Sequence, residues 1–319
     1  MKIVYNGEMD KVAFKDLLGR LIPEMCEKDD DVIYLDADLM SCIGTAKWAK
    51  QHPERAINCG IAEANMIGVA CGLAASGFKP IAHTFGPFAS RRCFDQVFLS
   101  GGYAGNDITV IGSDPGVTAT FNGGTHMPFE DMALYRSIPN STVIDITDSA
   151  MLQNILPQCL DRKGVKYIRV GRKNNAKVYE NGSSFVIGKP VTLREGKDAV
   201  IFACGIMVHE AMQAAKLLEA KGIEAAVVDM FTVKPLDGET VLRYAAETGA
   251  VITAENHNRI GGLTSAVAET LAGRSTAKFG YVAVEDTFGE VGPQDYLQER
   301  FGLTAKHIAE VAENTVRNK

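Results

Sequence analysis

A two-domain α/β fold, each domain a mostly parallel sheet covered by helices on both faces, is predicted by three observations. Short, continuously apolar runs recur along the chain, they alternate with segments of helical periodicity, and the alternation breaks once before resuming. Continuous rather than alternating hydrophobicity is the mark of parallel strands buried on both faces. A length of 319 residues fits two domains, since a typical domain takes roughly 100–200.

Taken in order, the first half offers strands near residues 32–35, 55–58, 80–84, 108–111, 142–146 and 166–170. Helical periodicity fills the intervals near 61–76, 88–101, 128–137 and 149–161. From Gly171 to Lys197 the texture becomes polar and glycine-containing, as in a linker with a hairpin. Strands then resume near 199–203, 225–229, 250–254 and 281–284, with helices near 207–221, 238–247, 262–272, 294–300 and 304–316. The expected division is a doubly wound domain over 1–178, a linker over 179–196 and a smaller α/β domain over 197–319.

Composition narrows the function. A net charge of −6, a pI near 5.6 and no basic run longer than Arg91-Arg92 or Arg172-Lys173 argue against a nucleic-acid or anionic-membrane partner. The seven cysteines form no C-x-x-C pair, so they read as reduced core residues of a cytoplasmic protein. No apolar run has the length of a signal peptide or a membrane span. Neither G-x-G nor G-x-x-x-x-G-K-[ST] occurs, which removes the dinucleotide and P-loop fingerprints. Small-molecule chemistry of another kind is left.

Glu63 is the most informative residue. It is the only charged side chain between Ile57 and Ser76, in the first turn of a helix expected to be buried on most sides. Full desolvation raises a carboxyl pKa by roughly 3–5 units, or about 4–7 kcal/mol, so the group needs a partner or a purpose. It is either a cap on the helix N-terminus or a functional acid. Two further segments stand out. The long loop Gly112–His126 follows a strand, where open parallel sheets place ligands, and ends in a histidine that either moves protons or is simply solvated. Phe85 and Phe88 lie where a strand passes into a helix, placed to flank a planar ring or to fill the core.

Together with Gly60-Ile-Ala-Glu63, these phenylalanines and the run Gly123-Gly-Thr-His-Met-Pro-Phe-Glu-Asp-Met-Ala-Leu-Tyr-Arg-Ser-Ile-Pro-Asn140 resemble the transketolase family. The resemblance extends through Tyr167–Arg172, Asp229–Asp237 and Glu255–Glu269, starting near Asp36-Ala-Asp38. It covers the family's pyrimidine-binding and C-terminal domains, while the Gly-Asp-Gly magnesium motif is absent. The implied protein is therefore the β-type half of a split transketolase, transferring a two-carbon ketol unit from a ketose, expected to be phosphorylated, to an aldose. Its cofactor would be thiamine diphosphate, with Mg2+ or Ca2+ held mainly by an N-terminal, diphosphate-binding partner subunit. Two copies of this chain would pair within an α2β2 assembly.

The resemblance also implies roles. Glu63 would hydrogen-bond N1′ of the aminopyrimidine and promote the imino tautomer that deprotonates thiazolium C2. Phe85 and Phe88 would line the ring pocket, Asp38 would help to shape the cofactor site, and His126 would contact substrate hydroxyls. Arg172 matches the family's phosphate-gripping arginine, although a surface arginine would look the same. Three positions depart from the pentose-phosphate pattern: Ser113 replaces a histidine, Asn122 an acid, and Arg91 a common aromatic. They weaken the usual xylulose and ribose phosphates and fit a less common sugar or sugar-phosphate substrate. Two rival readings are the β-subunit of a 2-oxo-acid dehydrogenase decarboxylase component and a non-catalytic α/β subunit. Thr125-His-Met-Pro128 and Ser137-Ile-Pro-Asn140 favour transketolase over the first, and retention of Glu63, Phe88 and His126 disfavours the second.

Overall fold

A computed structural model describes residues 2–319. Its strands are β1 (Val32–Asp36), β2 (Ala56–Asn58), β3 (Lys79–Phe85), β4 (Thr109–Ser113), β5 (Thr142–Asp145), β6 (Lys166–Val170), β7 (Val191–Arg194), β8 (Ala199–Ala203), β9 (Ala225–Asp229), β10 (Thr232–Lys234), β11 (Ala250–Asn258) and β12 (Lys278–Val284). Seven of them form one sheet in the order β10-β5-β6-β4-β3-β1-β2, and five form another in the order β12-β11-β8-β9-β7. Only β10 and β7 run antiparallel to their neighbours. Strands β1, β4, β6, β8 and β9 are buried at every residue, as expected of parallel strands covered on both faces. The α/β class expected from the sequence is therefore the fold observed.

The α-helices are α1 (Phe14–Lys28), α2 (Ala46–Gln51), α3 (Glu63–Ala75), α4 (Gly86–Ala89), α5 (Phe94–Gln96), α6 (Asp131–Ser137), α7 (Ser149–Asp161), α8 (Met207–Glu219), α9 (Gly238–Thr248), α10 (Leu263–Leu271), α11 (Gln294–Arg300) and α12 (Ala305–Arg317). Aspartate side chains cap α7 and α9, where Asp148 accepts from Met151 N–H and Asp237 from Thr240 N–H. No helix among the described residues is long and apolar enough to cross a membrane.

Five features differ from the expected elements, the short helix α2, absent from the sequence expectation, being the first. Helix α1 was not expected, yet Phe14, Leu17, Leu18, Leu21, Ile22 and Met25 make a buried stripe at helical spacing. The helix expected over 88–101 is broken into α4, α5 and a π-helical segment, Val97–Tyr103. Ser90 leaves helical geometry at φ −110° and ψ −90°, and the turn that follows carries Arg91 and Arg92. Strand β7 lies inside the expected linker, and β10 reaches back from the second half to pair with β5. Finally, α3 is not buried on most sides. Asn65, Gly68, Gly72 and Ala75 are exposed on it, and Ile61 before it is 75% exposed, leaving an uncharged outer face.

The two sheets meet over one buried cation. Arg169, on β6, is fully buried and donates Nε to Asp131 at 2.7 Å, Nη1 to Asp145 at 2.9 Å and Nη2 to the Asn256 carbonyl at 3.0 Å. Tyr167 also donates to Asp131, at 2.7 Å. Asp131 and Asp145 belong to the first sheet's domain and Asn256 to β11, so a single guanidinium joins both. Arg169→Met would strand two carboxylates in the interior, which is expected to cost about 3–5 kcal/mol. Urea unfolding of the full chain should show this loss.

Candidate active site

The carboxyl ends of the parallel strands converge on one side of the first sheet, and the sequence-derived candidates emerge there. Asp38 follows β1, Phe85 ends β3, Ser113 ends β4, and Arg172 lies just beyond β6. Asn58 ends β2 and joins Asp38 at 2.9 Å, while its side-chain oxygen accepts from Gly60 N–H in the approach to Glu63. Parallel topology thus gathers distant segments at one edge.

Glu63 is 1% exposed. Its carboxylate does not cap α3, and it is not unpaired: Thr84 donates to Oε1 at 3.0 Å and Arg92 to Oε2 at 2.9 Å. The cost of burying the acid is offset by a half-exposed guanidinium and a buried hydroxyl. Arg92 is also centred 3.7 Å from the Phe88 ring centroid. One arginine therefore touches both the acid and the aromatic wall.

Phe88 leads to His126, whose ring lies edge-on at 5.0 Å, and Phe85 approaches the same imidazole at 5.9 Å. The two phenylalanine rings are 6.4 Å apart. Thr125 Oγ1 bonds His126 Nδ1 at 2.9 Å, and Arg91 donates to the Thr125 carbonyl at 2.8 Å while pairing with Glu130 at 3.3 Å. Burial, then the charges of Arg92 and Arg91, hold the His126 imidazole below its ordinary pKa. The ring is consequently neutral at pH 7, able to accept or to donate one hydrogen bond.

Beyond Phe85 stands Arg172, 5.0 Å from the ring centroid and paired with Asp114 at 2.5 Å. Burial pushes the Asp114 carboxyl up even though Arg172 pulls it down. A cavity of about 450 Å³ opens here, where Lys15, Arg172 and Lys173 outnumber the single carboxylate of Asp114. Asn174, Asn175 and Gln294 add amides to its wall, and Gln294 comes from α11 of the second domain. Such a wall suits an anionic, hydrogen-bonding ligand.

The structure thus brings Glu63, Phe88, His126, Phe85 and Arg172 into one line of contacts, with Arg91 behind the histidine. Ser113 is not part of it: its hydroxyl is buried against His83 Nε2 at 3.1 Å, and His83 Nδ1 bonds Asp36 at 2.8 Å. Asn122 is exposed at the end of the turn Gly116–Asn122. Asp38 is tied to Asn58 and makes no bond with Glu63. His257, near the end of β11, is buried at the domain junction, where burial pushes its pKa down to about 4.

Sequence reasoning passed over Lys15, Thr84, Arg92 and Lys173. Lys15 had a readable signal, since it lies on the exposed face of the amphipathic helix α1, whereas Arg92 is distinguished from Arg91 only by the turn between α4 and α5. Because the folded pKa of His126 lies below its unfolded value of about 6.5, the stability it contributes is present above that value and lost as the pH falls through the folded pKa. Arg92→Gln should move the His126 pKa upward, toward its unfolded value, and so shrink that acid-side loss. Ring-proton NMR titration of the isolated chain, assigned with His126→Gln, measures it.

Comparison with known proteins agrees with this geometry. Residues 10–177 match the transketolase pyrimidine-binding domain family, and residues 188–308 match the transketolase C-terminal domain family. The chain is 50% identical over 315 residues to the 6-deoxy-6-sulfo-D-fructose transketolase subunit SqwH of Clostridium sp. (strain MSTE9), covering 99% of this chain and 98% of that one. It is 33% identical to an apulose-4-phosphate transketolase subunit of Phocaeicola vulgatus, covering 91% and 93%. A solved split-gene transketolase, described as an inactive beta4 tetramer, superimposes with a TM-score of 0.87 at 38% identity, covering 97% of this chain and 99% of that one. The chain belongs to the transketolase family, as a β-type subunit carrying the pyrimidine-binding and C-terminal domains of a split transketolase.

Proposed function

We propose that this subunit supplies the acid, the ring pocket and the substrate-recognition wall for ketol transfer from a ketose with an anionic terminus, sulfonate or phosphate, to an aldose. The carrying observation is the continuous line from the buried Glu63 through the phenylalanine and histidine rings to the cationic cavity at Arg172. Two relatives are named for uncommon donors, one sulfonated and one phosphorylated, and a wall of two lysines and an arginine suits either group.

The residues present fit thiamine diphosphate. Guanidinium groups cover the faces of Phe85 and Phe88, so these faces already accept planar, electron-poor groups. Thiamine diphosphate, when bound, supplies the nucleophilic carbon that cleaves the ketose beside its carbonyl and passes two carbons on. Glu63 would hydrogen-bond the pyrimidine nitrogen, its second oxygen fixed by Thr84. Phe85 and Phe88 would hold the ring, and Asp38 with Asn58 would shape the rim. His126, neutral at pH 7, would bond substrate hydroxyls and exchange a proton with them through whichever ring nitrogen faces the ligand. Arg172, with Lys15 and Lys173, would orient the anionic end.

The diphosphate and its Mg2+ or Ca2+ are assigned to a separate N-terminal partner subunit, a reading supported by the two matched domains and by relatives of like length named as subunits. The uncharged outer face of α3 fits burial against another subunit, in keeping with an α2β2 assembly. Recruitment of a partner places the active enzyme in the compartment where both chains are made, expected to be the cytoplasm.

The test is Glu63→Gln in the reconstituted two-subunit enzyme. Gln keeps an oxygen for Thr84 or Arg92, so folding should suffer by only about 1 kcal/mol. Loss of the proton-coupled bond should slow hydrogen–deuterium exchange at thiazolium C2 by roughly 10²–10⁴, the range of general acid–base groups. Unchanged exchange at confirmed cofactor saturation, with a lowered melting temperature, would make Glu63 purely structural.

A further inference from the structure

The loop that delivers His126 is held by the second domain at both ends. At its start, Asn256, 2% exposed at the end of β11, accepts the Val117 N–H at 3.0 Å and donates Nδ2 to the Pro115 carbonyl at 2.9 Å. Gly116, at φ +53°, faces this carboxamide so closely that any Cβ would collide with it. At its end, Gly124 lies against the Gly289 carbonyl and Gly123 against Val291, and a Cβ on Gly289 would strike Met127, the residue after His126. The first domain holds the loop at other points, through Asp114, whose N–H donates to the Val170 carbonyl at 3.0 Å and whose carboxylate pairs with Arg172, and through the Arg91 bond to the Thr125 carbonyl at 2.8 Å.

The backbone inside this grip is strained. Asp114 sits at φ +56° and Thr120 at φ +48° and ψ −118°, conformations that residues with side chains rarely adopt. Such geometry persists only where the surroundings over-determine it. Both residues line the cavity beside Arg172, and Asp114 is the arginine's ion-pair partner. Relaxation of the loop would therefore displace His126 and the anion-binding wall together.

We propose that the second domain serves catalysis as the clamp of this loop, and that Asn256 is its positioning residue. Asn256 touches no reacting atom; it acts through residues 115–117 on the placement of His126 and Asp114. Its own carbonyl is fixed by Arg169, so the clamp is anchored in the buried ion pairs that join the domains. The proposal rests on the reading of His126 as a substrate contact.

The experiment compares Asn256→Ala with Val267→Ala, which hollows the second domain's own core in α10. In the isolated full chain, hydrogen–deuterium exchange of the amides from Val117 to Thr120 should accelerate about tenfold in Asn256→Ala, as expected when one buried hydrogen bond is lost. It should stay at the wild-type rate in Val267→Ala. In the reconstituted enzyme, Asn256→Ala should lower kcat about tenfold or more at unchanged cofactor affinity, the effect of a small misplacement of a catalytic group. Val267→Ala should lower the melting temperature and leave kcat intact. The clamp is overturned if the loop amides stay protected in Asn256→Ala, or if kcat follows the melting temperature equally in both variants. A wild-type complex without ketol transfer would instead sink the proposed function, with the exchange measurement still judging the clamp.

Discussion

The candidate site depends on how two separate sheets are held in one register, and the buried guanidinium of Arg169 fixes that junction at its centre, beside the pairing of β10 with β5. Its three donors satisfy two carboxylates of the first domain and one carbonyl of the second. A buried cation of this kind is stable only with all its partners in place, so it fixes geometry more than it adds stability. The Asn256 side chain meets the loop after β4 because the Asn256 backbone is pinned to β6. Gln294 can reach the anionic cavity because the whole second domain is seated by the same junction.

Electrostatics within the site follows a second constraint, the burial of Glu63. A carboxylate at 1% exposure needs compensation, and Arg92 provides it from the rim. The same cation lies against Phe88 and depresses the His126 pKa, so acid, ring wall and histidine are coupled through one side chain. At the other end, Arg172 is balanced by Asp114, whose own ionisation is resisted by burial. An anion entering this cavity would meet the Arg172 guanidinium with two lysines nearby.

Much of the fold was legible because continuous apolar runs such as Val32–Asp36 and Ala199–Ala203 have few alternatives to a buried parallel strand. Helix α1 was equally legible from the stripe of Phe14, Leu17, Leu18 and Leu21, although it went unpredicted. The break between α4 and the π-helical segment was not, because Gly101 and Gly102 are pressed against Val165 and Ile138, contacts made only in the folded chain. Strands β7 and β10 are too short to signal themselves, and they owe their existence to the sheets they join. At the site, Glu63, Phe85, Phe88, His126 and Arg172 could be singled out by chemistry and resemblance. Ser113 could not be placed, since in a sheet covered on both faces the alternation of a strand does not say which side a hydroxyl takes. Arg92 was invisible for a related reason: adjacent arginines look alike until a turn sends one of them to a buried acid.

Under the proposed function, this chain is half of a cofactor site, supplying the ring pocket and the acid and depending on a separate subunit for the diphosphate and its metal. Titration calorimetry of thiamine diphosphate with Mg2+, first on the isolated chain and then on the chain mixed with its N-terminal partner, addresses that most directly. The account predicts weak or undetectable binding to the chain alone and saturable binding, one cofactor per pair of subunits, once the partner is present. Submicromolar binding to the isolated chain would contradict it.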